Sequence, residues 1–310
     1  MYKYVIRRLI MLIPVLLGVT FVIFTLLHFT DGDPARMILG NEASEEEVLS
    51  LREEMGLNDP FLVQYVRYVG NIVLKGDLGT SYTTKAPVMN EIMARLPTTA
   101  LLATLGVLVA VILGVTAGII SATKQYSIFD VVATAVSLFG VSIPGYWLGL
   151  MLIIVFSIQL GWLPPSGFDG PIYWILPAIC IGSTSASTIM RMTRSSMLEV
   201  LRQDYIRTAR SKCQKESVVV LSHALSNALV PVITVIGIAF GHLLGGAILT
   251  ESIFNIPGLG KLMIDSIKSR NFPVVQGGVL VTAFIFCMIN LIVDIIYAYI
   301  DPRIKSQYKK

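Results

Sequence analysis

The chain has 310 residues, of which 54% are hydrophobic and 14% are charged, and its formal net charge is +4. Soluble domains carry about 25% charged residues, so this composition excludes an ordinary soluble globular protein. Nothing in the charge pattern indicates binding to nucleic acid, and three cysteines, few and odd in number, indicate no disulfide framework. The mean hydropathy of +0.72 predicts an all-α membrane protein.

The N-terminal segment, residues 1–29, predicts a first membrane helix. Lys3, Arg7 and Arg8 precede an apolar run over Leu9–Phe29. The run is longer than the apolar core of a signal peptide, and no small-residue cleavage pattern follows it. We therefore expect a retained helix whose start lies in the cytosol.

Residues 30–98 are polar and predict a small helical insertion outside the membrane, between the first two spans. Ser44 followed by acids at 45–47 is typical of a helix N-terminus. Turn signals at Gly56–Pro60 and Gly76–Gly79 divide the stretch into a few short elements.

Residues 99–310 predict five more spans, each longer than the roughly 17 residues that a bilayer requires. The segments are Thr99–Ala122, Val131–Leu160, Tyr173–Met190, Leu229–Leu249 and Val279–Ile300. The second of these carries Pro144–Gly145, which predicts a kink. Six spans and a cytosolic N-terminus place the C-terminus in the cytosol as well.

The stretch between the fourth and fifth spans, 191–228, is the most basic connection in the chain. Between Arg191 and Asn227 it holds seven Lys or Arg and three acids, an excess typical of cytoplasmic loops. Its second half has apolar residues at spacings of three and four, which predicts an amphipathic helix ending at Pro231. They are Val218, Leu221, Leu225 and Leu229. Such a helix can lie on the membrane surface or pack under the bundle.

Residues 204–231 read DYIRTARSKCQKESVVVLSHALSNALVP. The run Arg207–Ala209, followed by His223–Leu225 and then Asn227–Ala228, resembles the cytoplasmic coupling loop of bacterial ATP-binding-cassette importer permeases of the dipeptide, oligopeptide and nickel type. Cys213 departs from that pattern, because the family has a glycine there that permits a tight turn.

Other motifs extend the resemblance over nearly the whole chain, among them Gly32–Pro34, Arg191–Met197 and Asp301–Arg303. It implies a permease with type I importer architecture that translocates di- or oligopeptides across the cytoplasmic membrane of a bacterium. It also implies a second permease chain in a heterodimer, two subunits that bind ATP and Mg, and an extracytoplasmic substrate-binding protein. The chain itself would hold no cofactor. Nickel, a metal chelate or glutathione are the alternative substrates.

The resemblance further implies which residues contact the ATP-binding subunits. They are Asp204, Tyr205, Arg207, Thr208, Ala209, Arg210, Cys213, Leu221, His223, Ala224, Leu225 and Asn227.

A self-sufficient secondary transporter is the alternative from another class, and it needs buried charges for ion coupling. Asp294 is the one acid that the sequence places inside a predicted span. Arg191, Arg194 or Arg303 could reach it. We expect a structural ion pair, first of all with Arg191 or Arg194, rather than a role in carrying protons or substrate. An intramembrane enzyme would need paired catalytic groups, which the sequence does not offer.

Hydroxyl groups crowd the fourth span and can line a polar path or bond back to their own helix. The candidate residues for a translocation path are Ser142, Tyr146, Ser183, Ser187, Thr234 and His242.

Asn255–Lys261 faintly resembles a phosphate-binding loop but lacks its first glycine and its final Ser or Thr. We expect it to be an outer loop, either a turn that caps the bundle or a gate for substrate. His28, His223 and His242 lie far apart in the sequence, so no metal site is predicted.

Overall fold

The computed structural model describes residues 2–30, 32–40 and 42–300, and the side chains of residues 2–4, 246 and 296–300 are not described. The described residues form helices and no strand beyond one isolated bridge between Thr80 and Pro87. In chain order the helices are α1 Tyr2–His28, α2 Pro34–Leu39, α3 Glu45–Glu54, α4 Phe61–Lys75, α5 Val88–Thr123, α6 Ile128–Ser142, α7 Gly145–Leu152, α8 Ile175–Leu201, α9 Asp204–Ser211, α10 Glu216–Val218, α11 Leu225–Gly246, α12 Ile248–Ile253, α13 Leu259–Lys268 and α14 Phe272–Ile300.

Five stretches are long and apolar enough to cross a membrane, and a sixth is obtained if α6 and α7 together form one broken span. The axes of α6 and α7 differ by 106°. Ile143 adopts an extended conformation there, as expected before Pro144, which disfavours the helical conformation in the residue preceding it. The predicted kink is therefore a sharp break. A π-helical segment, Ile153–Gln159, continues α7.

Two prolines, Pro97 and Pro231, lie inside membrane helices rather than at their ends. Helix α5 begins at Val88 rather than at Thr99 and runs through Pro97. Helix α10, a π-helical segment Val219–Ala224 and α11 form one span that passes through Pro231. The expected helix end at Pro231 is thus wrong, because neighbouring elements in a membrane bundle can compensate for the hydrogen bond that proline removes.

Glycines set the distances between the central helices. A Cβ atom on Gly182 of α8 would lie 2.6 Å from the carbonyl oxygen of Gly106 of α5, so these two helices touch through their backbones. Helix α11 approaches α14 in the same way, with Gly241 facing the ring of Phe286.

Helices α2–α4 form the insertion between α1 and α5. Ser44 caps α3 and is bonded in return by Glu47, whose pKa is lowered by hydrogen bonds from the Ser44 backbone and side chain. This confirms the helix start expected at Ser44. Helix α4 packs on α1, where the hydroxyl of Tyr65 donates to the carbonyl oxygen of Leu17 at 3.0 Å.

Candidate functional site

The loop between α8 and α11 is folded onto its own bundle. Ile206 and Ala209 on the inner side of α9 are buried in an apolar cluster with Met197 of α8 and Val219 of the π-helical segment. The loop was expected either to lie on the membrane surface or to pack under the bundle, and the structure has the second arrangement. The inner face of α9 is therefore committed to contacts within the chain.

Three side-chain contacts fix α9 and its following turn to the next span. The amide Nδ2 of Asn227 donates to the hydroxyl of Tyr205 at 3.0 Å, and Gln214 Oε1 lies 2.7 Å from His223 Nε2. Arg210 donates to both carboxylate oxygens of Glu216, at 2.6 and 3.2 Å, which raises the pKa of its guanidinium group. The loop is consequently joined both to α8 and to the span that contains α11.

The turn between α9 and α10 is built around Cys213, which has a φ of +53° and an exposed side chain. This left-handed conformation is the one that glycine adopts without steric conflict. The tight turn that the family's glycine would permit is therefore present with cysteine, at a conformational cost of about 1–2 kcal/mol.

Most of the residues predicted to contact ATP-binding subunits are accessible on the outer side of this loop. The exposed residues, named here the coupling surface, are Asp204, Tyr205, Arg207, Thr208, Arg210, Cys213, Leu221 and Asn227. His223 and Leu225 are half-buried, whereas Ala209 and Ala224 are buried against the bundle and are not accessible to a partner.

The apolar pattern predicted the wrong inner face for the helix that follows. Val218 and Leu221 are 42% and 56% exposed, whereas Val219 and Val220 are buried. A π-helical turn contains more residues than an α-helical one, so residues before and within this segment do not share a face with those after it at spacings of three and four. Two apolar side chains are thereby left uncovered on a loop that also carries exposed arginines, a combination typical of a protein contact.

A buried ion pair lies beneath this loop. The guanidinium of Arg194 on α8 donates to both carboxylate oxygens of Asp130 on α6, at 2.7 and 2.8 Å, and Asp130 is 4% exposed. The hydroxyl of Ser121 on α5 also contacts Asp130, and the backbone N–H of Tyr126 donates to it at 3.0 Å. The pair ties three helices together at the end of the bundle that carries the loop.

Asp294 has a different partner from the one expected. Its carboxylate lies 3.0 Å from the guanidinium of Arg8, so the predicted pairing with Arg191 or Arg194 is wrong. The start of α1 packs beside the end of α14, which brings Arg8 within reach, while Arg194 is held by Asp130. Arg303, a further candidate for pairing with Asp294, lies outside the described residues.

The candidates for a translocation path lie in separate regions. Ser142 and Tyr146 are exposed at the break between α6 and α7. Ser183 and Ser187 bond back to the carbonyl oxygens four residues earlier in α8, as hydroxyls in helices can do.

The remaining two candidates are in α11. The hydroxyl of Thr234 is buried without a hydrogen-bond partner among the described residues. His242 packs against Phe286 at a ring distance of 5.6 Å and lines a cavity of about 430 Å³ between α11 and α14. In the part of the chain that the structure describes, no group of three or more His, Cys, Asp or Glu side chains could hold a metal ion.

The loop between α12 and α13, expected to be an outer loop, is closed by a buried carboxylate. Glu251, which is fully buried, accepts hydrogen bonds from the hydroxyl of Thr99 at 2.6 Å and from the backbone N–H of Lys261 at 3.0 Å. The hydroxyl of Thr99 in turn accepts from the N–H of Leu259 at 2.8 Å. The backbone of the faint phosphate-loop motif therefore binds a carboxylate of this chain, an arrangement that caps α13 and joins it to α5.

The family described as the binding-protein-dependent transport system inner membrane component matches residues 114–306. A second family, described as the N-terminal part of the membrane component of binding-protein-dependent transport systems, matches residues 1–103. The chain belongs to the inner membrane component family of these transport systems. It is accordingly a multi-pass protein of the bacterial cytoplasmic membrane.

Two curated members of this transport family match the chain over almost its full length. The dipeptide transport system permease protein DppB of Alkalihalophilus pseudofirmus is 47% identical, covering 98% of this chain and 100% of that protein. The glutathione transport system permease protein GsiC of Escherichia coli strain K12 is 43% identical, covering 98% of this chain and 99% of that protein.

Solved transporters share the fold of this family member at low identity. An inward-facing structure of the MetNI methionine ABC transporter has a TM-score of 0.56 at 16% identity and covers 69% of this chain and 97% of its own. A crystal structure of an amino acid ABC transporter with histidines has a TM-score of 0.51, also at 16% identity, and covers 69% and 94%. The expected ABC permease architecture is thereby confirmed, including the apolar helical bundle.

Reading the sequence missed two polar clusters of this family member. Asp130 lies one residue before the predicted third span, and Glu251 lies two residues after the predicted fifth span. The hydropathy pattern therefore places both acids in loops. Ser127, which caps α6 and accepts from the N–H of Asp130, marks a helix start and could have placed Asp130 inside the helix. No comparable sequence signal indicated Glu251.

Proposed function

We propose that the chain is a permease subunit of an ABC importer that carries di- and oligopeptides into the cytosol. The observation that carries this proposal is the 47% identity to a dipeptide permease, which extends over 98% of this chain and the whole of the relative. The match includes both the bundle and the loop between α8 and α11, so the parts needed for transport and for coupling are present together.

Energy for transport comes from two separate subunits that bind ATP and Mg and press on the coupling surface. Leu221 and Tyr205 offer apolar contact, and Arg207 offers charge. Because Arg210, Gln214 and Asn227 tie the loop to the next span, and Ile206 ties it to α8, a push on this surface moves both helices. Such a movement can bias the bundle between its inward-open and outward-open states.

The proposed assembly has functional parts on both sides of the membrane. Both termini and the loop 191–228 lie in the cytosol, where Lys and Arg are in excess. The insertion at 30–98 lies outside the membrane, on the side from which the substrate-binding protein delivers substrate. A second permease chain completes the pathway, and Ser142 and Tyr146 at the break between α6 and α7 are placed to line it.

Glutathione is the second candidate substrate, because a glutathione permease is 43% identical over 98% of the chain. Glutathione is itself a tripeptide with one unusual peptide linkage. Glutathione and ordinary small peptides therefore belong to the same chemical class of substrate.

Uptake by cells tests the proposal. A strain lacking the gene for this chain would be supplied with the chain again, and uptake of a labelled dipeptide, a labelled tripeptide and labelled glutathione would be measured. We expect restored uptake of the dipeptide and the tripeptide. Restored uptake of glutathione without either peptide would favour the second candidate, and restoration of none would contradict an importer function for peptides.

A further inference from the structure

A basic groove of about 630 Å³ runs along the last three turns of α8, beside α6. Its walls include Arg191, Arg194 and Leu198 of α8, Arg202 directly after that helix, and Thr134 of α6. Arg191 and Arg202 lie on one line of the helix, about 16 Å apart at 1.5 Å per residue. The groove is thus an elongated basic channel on the side of the bundle.

Two of the three arginines are free to bind something else. Arg194 is neutralised by Asp130, but neither Arg191 nor Arg202 makes an ion pair or a side-chain hydrogen bond within the described ranges. Glu199 also lines the groove, about 60° around the helix from Arg202 and between the two free arginines along its axis. Arg191 and Arg202 stand at the two ends of the groove, so the unpaired charge of its lining is positive by one net charge.

The groove adjoins an uncovered apolar surface of α6. Val131, Leu138 and Val141 follow the same face as Thr134 and are 62%, 53% and 43% exposed. Arg191 lies just after the apolar part of α8, which we placed at Tyr173–Met190. A positive site at the membrane boundary is therefore continuous with an apolar stripe directed along α6.

We propose that this groove binds the phosphate group of an acidic phospholipid, with Arg191 and Arg202 holding the headgroup and the α6 stripe contacting its acyl chains. Guanidinium groups bind phosphate by paired, charge-assisted hydrogen bonds. Basic pockets between membrane helices on the cytoplasmic side are suited to acidic headgroups. A soluble phosphate would use the arginines but gain nothing from the apolar stripe, whereas a phospholipid uses both.

The inference uses the proposed function in one respect, namely that this end of α8 faces the cytosol. A lipid measurement on the purified chain does not depend on transport, so the two proposals can fail separately. Loss of peptide uptake with an intact lipid preference would count against the proposed function alone.

Native mass spectrometry of the full-length chain, equilibrated with phosphatidylglycerol or phosphatidylcholine, tests the proposal. We expect the wild type to retain phosphatidylglycerol about tenfold better, a difference that corresponds to about 1.4 kcal/mol. The double variant R191Q/R202Q should lose this preference, and R191K/R202K should keep most of it because the charge remains. K212Q/K215Q removes two exposed charges outside the groove and should retain the full preference.

Equal retention of the two lipids by the wild type, or an unchanged preference in R191Q/R202Q, would overturn the proposal. Displacement of phosphatidylglycerol by millimolar inorganic phosphate would identify a site for soluble phosphate instead. Crosslinking of R202C to a second permease chain, together with loss of the lipid preference in that assembly, would show that protein rather than lipid occupies the groove.

Discussion

Arg194 and Asp130 are 64 residues apart in the sequence and are joined by two hydrogen bonds of 2.7 and 2.8 Å. The pair lies beneath the loop that carries the coupling surface and connects α8 to α6. Under the proposed function, a fixed connection at this point would let force applied to the loop reach the helices on both sides.

Replacing Asp130 with asparagine should destabilise the bundle. The substitution leaves the guanidinium of Arg194 without its counter-charge, and breaking a buried pair costs about 3–5 kcal/mol. Because the Arg194 side chain is 27% exposed, we expect the lower part of that range. Thermal or denaturant melting in detergent measures this change in the free energy of unfolding.

The matched control is Asp204→Asn, which removes the acid of an exposed pair with Arg207 at 3.5 Å. Exposed pairs contribute about 0–1 kcal/mol, so this variant should stay near the wild type. Equal losses in the two variants would mean that the Asp130 pair has no special structural role.

Replacing Cys213 with glycine should stabilise the loop. Glycine adopts a positive φ without steric conflict, although its flexible unfolded state offsets part of the gain. We expect the free energy of unfolding to rise by about 0.5–1 kcal/mol, whereas Cys213→Val should lower it because a branched side chain is strained at this φ. If valine were tolerated as well as glycine, the turn would not hold the conformation described here.

Stability should depend on pH through Glu251. Burial raises the pKa of this carboxyl group, against the opposing hydrogen bonds from Thr99 and from the backbone of Lys261 and Gly260. A group whose pKa is raised in the folded state contributes stability that is present below its unfolded pKa and lost as the pH rises through its folded pKa. The wild type should therefore lose melting temperature relative to Glu251→Gln as the pH rises above about 4.3.

Glu251→Ala should behave differently, because it leaves the hydroxyl of Thr99 and the N–H of Lys261 without their acceptor. We expect a loss of about 1–3 kcal/mol at every pH. Parallel melting curves for the wild type and Glu251→Gln across the pH range would contradict a buried, titrating carboxyl group.

The orientation in the membrane can be measured with cysteine labelling. The natural Cys213 is exposed and should react with an impermeant thiol reagent only after the cells are permeabilised. In a Cys213→Gly background, a cysteine replacing Glu46 in the insertion should react in intact cells, and one replacing Lys215 should not. The opposite pattern would reverse the proposed topology, since the positive-inside rule places the basic loop in the cytosol.

Apolar runs predicted the bundle well, because a lipid environment requires about 20 apolar residues for each helical span. They did not predict that α5 extends back to Val88, since its first turns lie at a polar boundary where hydropathy carries little information. The break at Pro144 was located in the sequence, yet its angle depends on packing that the sequence pattern does not report.

The candidate site was located by motif, but the accessible residues within it were not identified. A π-helical turn exchanged the inner and outer faces, which buried Val219 and Val220 and exposed Leu221. The partner of Asp294 depends on how α1 packs against α14, and helix neighbours cannot be read from spacing within one helix. For this reason the sequence did not predict Arg8 as the partner of Asp294.

Leu221 is the most direct probe of the coupling surface, which in the proposed function transmits work from ATP-hydrolysing subunits. Leu221→Asp places a charge in the contact with a partner without disturbing the bundle, since the side chain is 56% exposed. Ala209→Asp would not serve, because Ala209 is buried against its own chain. Leu49→Asp is the matched control, with the same substitution at the same 56% exposure on α3 of the insertion.

The deciding measurement is the amount of peptide imported for each ATP hydrolysed by the complete importer in proteoliposomes. We expect Leu49→Asp to match the wild type, and Leu221→Asp to insert normally while this ratio falls by about tenfold or more, because an unpaired charge is costly to bury in an apolar contact. Normal import per ATP by Leu221→Asp, with Leu49→Asp also normal, would contradict the assignment of this surface to coupling.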